Sequence, residues 1–319
     1  EEETLFTVRP WPLGGFVRIR GMVPEEDGSE TRVASGFYSK SPIKRLIVLA
    51  AGPAFSVLAG VIMLFGLFSI DGVRKPTNVV GSIIVDGQAA KAGLIPDDRI
   101  VAVDGVATNT YFEALSRIRD SGHMLRLTVD RKGNRIDFQV TPKLDEQPTE
   151  VLDSEGMPIG EQRRQYKIGF SPKFVPVQIS ASDALMRAVG EPVMVVQQMG
   201  KLAQRKAKIE NEVGGPAQIV MATRDATESG VAMVVFLAGM LSISVGIFNL
   251  LPIHPLDGGQ MVVAVVELLR GGKRLSYKVQ NAVAGVGLLV LFVMISSALF
   301  FDFNRIVKPA KQPKVITGK

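Results

Sequence analysis

The sequence has 319 residues, 46% hydrophobic and 21% charged, with a mean hydropathy of +0.22; that charged share is low beside the usual quarter or so of a soluble chain. The absence of cysteine excludes disulfides, thiolate nucleophiles, cysteine zinc sites and iron–sulfur clusters, and leaves only His123 and His254 for imidazole chemistry. A net charge of +6 fits either a nucleic-acid surface or the basic flanks of membrane spans, so its distribution has to decide.

Over residues 1–45, the alternation of Leu5, Phe6, Thr7 and Val8, then Phe16, Val17 and Ile19, predicts two short strands around Pro10, Pro12, Gly14 and Gly15. The chain opens on this pattern without an initiator methionine, as expected of a fragment lacking its amino-terminal part. Residues 46–70 contain no charge, and at roughly 1.5 Å per residue they exceed a hydrocarbon core of about 30 Å, which predicts a transmembrane helix. The run comes too late in the chain for a signal peptide. Residues 77–143 alternate short apolar strands (79–85, 100–103, 125–129, 136–140) with the turn pairs Asp86-Gly87, Asp104-Gly105 and Lys132-Gly133. With a helical segment over 111–120, they predict a small α+β domain.

Residues 144–230 begin as a charged loop or hairpin and continue as an amphipathic helix that opens on Ser182-Asp183 and is interrupted near Pro192. The basic end of that helix, Lys201, Arg205, Lys206 and Lys208, reads as a solvated or headgroup-facing segment rather than a nucleic-acid site. Residues 231–270 hold a second transmembrane segment, uncharged over 231–256, residues 282–301 a third, and residues 302–319 form a basic tail. Arg270, Lys273, Arg274 and Lys278 crowd the loop between the last two spans and place it in the cytoplasm. Lys40, Lys44 and Arg45 put the segment before the first span on that side too, so the small domain is expected outside. The tail, with Arg305, Lys308, Lys311, Lys314 and Lys319, falls outside in this scheme despite its charge.

Inside the second apolar run stands Asn249-Leu250-Leu251-Pro252-Ile253-His254-Pro255-Leu256-Asp257-Gly258-Gly259. Two prolines followed by two glycines predict a broken helix whose backbone must be satisfied by protein or water, the mark of a cavity. A carboxylate there is costly unless paired, protonated or bound to a cation, and zinc takes carboxylate oxygens directly, with a flexible Asp-Gly-Gly loop turning the side chain inward. Asp257 can equally serve as the N-cap of a helix over 259–269. For His254 a backbone hydrogen bond is expected before zinc ligation, and Asn249 can act as an interhelical hydrogen-bonding residue.

The chain resembles the site-2 protease family of intramembrane zinc metalloproteases. The resemblance rests on Asn249 to Ile253 with Leu256-Asp257-Gly258-Gly259, which match the family's Asn-x-x-Pro and Leu-Asp-Gly elements. Pro12-Leu13-Gly14-Gly15-Phe16-Val17 resembles its membrane-associated β-loop, Ala50-Ala51-Gly52-Pro53 its second helix, and Gly214-Gly215-Pro216 the approach to its third. Residues 77–143 look like a bacterial PDZ domain, through Ala89 to Leu94, Asp97 to Ile100 and Val103-Asp104-Gly105. The departures are His254 where the family has proline, Ser56 where it often has asparagine, and Asp97 where glycine is usual.

The resemblance implies a polytopic α-helical membrane protein with an inserted extracytoplasmic PDZ-like α+β domain and a membrane-associated β-loop. It implies Zn2+ held by Asp257 and by two histidines of a His-Glu-x-x-His helix, whose glutamate is the general base. That motif occurs nowhere in these 319 residues and is expected upstream of Glu1, so the chain by itself is expected to be inactive. Substrate-binding roles are implied for Asn249, Pro252, Gly14, Gly15 and Phe16, with the β-loop over 4–20 pairing to an unwinding substrate helix. Val80, Gly81, Ser82 and Ile83 are expected to line a PDZ groove that accepts a chain end, although the domain can also act as a spacer or size filter. The expected partners are the lipid bilayer and transmembrane protein substrates shortened by a first cut, with no nucleic acid, in a multi-pass protein of a bacterial inner membrane. A membrane-embedded PDZ scaffold or pseudoprotease is the alternative; a transporter fits less well, since no internal repeat is visible.

Overall fold

The computed structural model describes residues 19–23, 25–146, 148–152, 158–204, 215–307 and 314–318. In chain order its elements are α1 (Pro42–Ile70), β1 (Val73–Ile84), α2 (Gln88–Lys91), β2 (Arg99–Val103), β3 (Val106–Ala107), α3 (Tyr111–Asp120), β4 (Leu125–Arg131), β5 (Asn134–Val140), β6 (Lys143–Leu144), β7 (Thr149–Leu152), β8 (Pro158–Arg163), β9 (Tyr166–Lys167), β10 (Phe170–Val177), α4 (Ala181–Gln204), α5 (Pro216–Ser229), α6 (Val231–Asn249), α7 (Asp257–Leu269), α8 (Tyr277–Val307) and β11 (Val315–Thr317). They fall into two units, Glu1–Phe65 with Met186–Phe303, and Gly66–Leu185 with Asn304–Lys319. Gly14, Gly15 and Phe16, the rest of the expected β-loop up to residue 18, and residues 205–214 lie outside the described residues.

The first unit is helical. α1, α6 and α8 are each long and apolar enough to cross a membrane, and no more than 17% of their apolar windows is covered by the rest of the protein. So much bare apolar surface requires an apolar surrounding. α1 and α6 meet through small residues. A methyl on Gly60 would lie 2.6 Å from the Gly239 carbonyl, and one on Gly246 would lie 2.8 Å from the Pro53 carbonyl and from Val57. Such positions let two backbones close to van der Waals distance where water cannot drive helices together. The Ser242 hydroxyl adds a 2.7 Å bond to the Ser56 carbonyl. Buried Asp302 of α8 accepts from the N–H groups of Gly215 (3.1 Å) and Ala217 (2.8 Å), neutralising the positive end of α5.

At another place in this unit the first turn of α1 and the residues before it join α7 and α8 through polar side chains. Arg45 donates to Glu267 at 2.5 Å, and both are buried. Glu267 also accepts from the Leu275 N–H (3.0 Å), while Gln280 donates to the Leu275 carbonyl (2.8 Å) and accepts from the Tyr38 hydroxyl (3.1 Å). Arg274 pairs with buried Glu30 and lies 4.1 Å from the centre of the Tyr38 ring.

The second unit is built on an antiparallel sheet in the order β10-β1-β2-β4-β5, with β11 added to β1 and β3 to β2. α3 covers the predicted helical segment 111–120 and is capped by Thr110, whose hydroxyl accepts from the Glu113 N–H at 3.2 Å. Val80, Ile83, Ile100, Leu125, Leu127, Ile118 and Ile168 fill the core. Buried Asp98 is held by Arg131 through bonds of 2.7 and 2.8 Å. At Asp104-Gly105 and Lys132-Gly133 both residues take positive φ, the turn expected between paired strands. Gly87 has φ −74, so Asp86-Gly87 leads into α2 instead.

Several expectations need correction. The sheet does not close with the segment 77–143: β10, from the stretch read as a hairpin and helix, pairs with β1 from Val73↔Val177 to Ile83↔Phe170. The reason is that β1 starts at Val73 and offers an edge that the strands up to residue 140 leave uncovered. The predicted hairpin is present as β7 paired with β8, with β6 paired to β9. α4 starts one residue early, capped by Ser180, whose hydroxyl accepts from the Asp183 N–H at 3.1 Å, and runs unbroken through Pro192.

Candidate functional site

α6 ends at Asn249, and the chain then descends through tight turns to α7. The N–H groups of Leu250, Leu251, Ile253 and Leu256 are bonded to Ile247, Phe248, Leu251 and Ile253, so the broken stretch satisfies these groups locally. Pro252 and Pro255 have no N–H to satisfy, which explains their tolerance here. The Asp-Gly-Gly element is not a flexible loop: Asp257, Gly258 and Gly259 form the first turn of α7 and carry no positive φ. Their glycines are needed for close packing. A side chain on Gly258 would run into the Leu250 and Leu251 carbonyls, and one on Gly259 into the backbone of His254. Gly287 of α8 closes on the His254 carbonyl from a different helix. The turn is thus clamped by backbone on two sides, and a clamped turn aims the residue that opens it.

That residue is Asp257. The N-cap position belongs to Leu256, so the carboxylate does not cap α7. It is half-buried, accepts no hydrogen bond from the described residues, and faces Gly52 of α1, where an added methyl would lie 3.5 Å from Oδ2. A carboxylate that is neither paired nor capping retains both oxygens for a cation. His254 departs from expectation, because its Nδ1 is buried without a hydrogen-bond partner among the described residues. The side chain of Asn249 is half-buried and that of Pro252 exposed, both beside the break. Among the described residues no three His, Cys, Asp or Glu side chains converge on one point. What these residues offer a metal is one carboxylate at a fixed position, which fits one corner of a tetrahedral zinc site.

The groove expected beside Val80, Gly81, Ser82 and Ile83 is not an open edge. Ser82 and Ile83 pair with Ser171 and Phe170 of β10 on one edge, and with Thr317 and Ile316 of β11 on the other. His123 is an exposed surface residue, bonded at 3.0 Å to Asp104. The Arg126 N–H, at 2.8 Å, and then His123 hold the Asp104 carboxyl below its usual range. Sequence reasoning missed the Arg45–Glu267 pair and Gly287; the only hint of the latter was the small-residue stretch Ala282, Ala284, Gly285, Gly287 at the start of an apolar run.

The profile of Peptidase family M50 matches residues 1–294. The chain belongs to the Peptidase M50 family. Its resemblance to the site-2 proteases holds at the level of the family. A protein of Brucella suis is 27% identical over 309 residues, covering 91% of this chain and 79% of its own length. One from Helicobacter pylori is 29% identical over 313 residues, covering 95% and 86%, and one from Lactococcus lactis is 31% identical over 286 residues, covering 88% and 62%. All three bear zinc-metalloprotease names. Family and relatives together support a membrane metalloprotease.

Proposed function

We propose that this chain is part of a multi-pass intramembrane zinc endopeptidase that cuts transmembrane segments of other proteins in regulated intramembrane proteolysis. The observation that carries this is the Asp257 carboxylate, aimed by a backbone-clamped turn, unpartnered among the described residues, and facing the small residue Gly52 between helices of apolar surface. Asp257 would supply one oxygen ligand. The two histidines and the general-base glutamate come from a His-Glu-x-x-His segment that is not among these 319 residues. When bound, zinc supplies Lewis acidity toward a peptide carbonyl.

The chain's own residues do the rest. Gly52 keeps space in front of the carboxylate, and the Asn249 amide, which both donates and accepts, binds extended substrate backbone at the mouth of the break, with Pro252 beside it. Gly14, Gly15 and Phe16 lie in a segment that pairs with the substrate as it unwinds, because hydrolysis needs an extended peptide. The second unit is a PDZ-like domain on the outer face of a bacterial inner membrane and excludes substrates whose outer part has not been shortened.

Asp257→Ala in the full-length protein should lose cleavage of a single-span substrate by at least about 100-fold and lower the zinc content, the scale expected for removing a ligand that holds the catalytic metal. Unchanged cleavage would overturn the assignment. Loss of zinc from a wild-type protein that never cleaves would support the pseudoprotease alternative. The 319 residues alone should hold zinc weakly and cut nothing.

A further inference from the structure

The second unit contains a strand that the sequence did not announce. Residues 314–318, after α8, lie antiparallel along β1, with Ser82↔Thr317, Ile83↔Ile316 and Ile84↔Val315 as paired positions. The register extends one residue at each end: the Val85 N–H donates to the Lys314 carbonyl at 2.8 Å, and the Gly318 N–H to the Gly81 carbonyl at 3.2 Å. This is the stretch of β1 on which an incoming extended peptide was expected to pair.

The two strands that flank Ser82 and Ile83 are held differently. β10 pairs with β1 from Val73 to Ile83, Ile168 just before it is buried in the core, and Gly81 is packed against its backbone so closely that a methyl would lie 2.7 Å from the Pro172 carbonyl. β11 has only three paired positions, and all five residues 314–318 are exposed, with Val315 54% and Ile316 49% open to solvent. Its attachment is therefore nearly all backbone hydrogen bonding, which does not discriminate strongly between sequences. Ordering five residues costs more than a few such bonds return, so the strand is held there chiefly because it is tethered to the same chain. One feature is selective. A methyl on Gly318 would lie 2.8 Å from Asp97 Oδ2 and 3.2 Å from Pro96, so the strand's far end fits glycine at that place.

We propose that the Gly81–Val85 edge of β1 is a docking site for one extended peptide strand, and that residues 314–318 are its resident, competing ligand. An extended segment of another protein reaches the edge only by displacing them. This goes beyond the protease reading and does not depend on zinc or on cleavage.

Because these 319 residues contain no cysteine, the pairing can be tested in the full-length protein in membranes, with any cysteine outside them replaced by serine. The pair Ser82→Cys with Thr317→Cys should form a disulfide under mild oxidation in most molecules, and the out-of-register pair Ser82→Cys with Val315→Cys should not. A fluorescent peptide carrying residues 314–318 should bind a variant lacking those residues at least tenfold more tightly than it binds the intact protein. Gly318→Leu should lower the crosslinking yield and raise peptide binding toward that of the deletion. Equal crosslinking of the two cysteine pairs, or equal peptide binding with and without residues 314–318, would overturn the proposal whatever the protein's proteolytic activity.

Discussion

At the scale of single residues, the glycines around Asp257 differ in what they tolerate, and the difference is testable. Gly52 faces Asp257 with room for one carbon at an ordinary contact distance, whereas Gly259 has His254 backbone in the place of its missing side chain. Gly52→Ala should therefore leave the thermal midpoint in detergent nearly unchanged. Gly259→Ala should cost about 1–3 kcal/mol, the range for overpacking a filled site, and should also lower zinc content by moving the start of α7. Equal midpoints for the two variants would show that the turn is looser than its packing implies. Asp104 gives a second prediction, with a defined sign. Its carboxyl is held below the usual range by the Arg126 N–H and then by His123, so the stability it contributes is present above the unfolded carboxylate pKa of about 3.9 and is lost as pH falls through the lower folded value. Asp104→Asn should lower the midpoint at pH 7, and the gap to wild type should shrink below about pH 4.

At the scale of elements, α7 joins two kinds of chemistry: Asp257 opens it and buried Glu267 lies near its end, gripped by Arg45 in the first turn of α1 and by the Leu275 N–H. Removing one partner of a buried pair leaves the other charge unpaired. Arg45→Ala should cost about 3–5 kcal/mol, while replacing both Arg45 and Glu267 by methionine should be much milder. Detergent melts of the single and double variants separate the two; a double variant no better than the single would place the cost in lost packing around Tyr38. This pair also shows where sequence reading stopped. Arg45 and Arg274 read as charges that orient a membrane span, which local composition can reveal, but their partners Glu267 and Glu30 are remote in sequence, and no local pattern encodes that distance. The same limit hid Gly287 and the true reason for Gly258 and Gly259, because only the neighbouring backbone shows that a side chain cannot fit. Features set by a residue's own window were legible: the apolar runs, the break at Asn249–Asp257, the turns at Gly105 and Gly133, and the helix at 111–120.

At the scale of the whole molecule, the path of the chain decides which side of the membrane each segment occupies. β1 follows α1, and two helices long enough to span, α6 and α8, separate the sheet from the tail; two crossings by them would return the tail to the side of the sheet. The pairing of β11 with β1 requires the same thing independently. The basic residues of the tail argue for the opposite side under the positive-inside rule, against the short basic loop that holds Arg270, Lys273 and Arg274. The β1–β11 pairing needs physical adjacency and so predicts that the tail lies on the side of the sheet. The cysteine-free chain makes the consequence measurable: Asn134→Cys and Thr317→Cys should react with a membrane-impermeant maleimide from the same side, and Lys273→Cys only from the other. If Thr317→Cys labels together with Lys273→Cys, the tail does not reach the sheet in the membrane, and one of the two apolar helices α6 and α8 fails to cross.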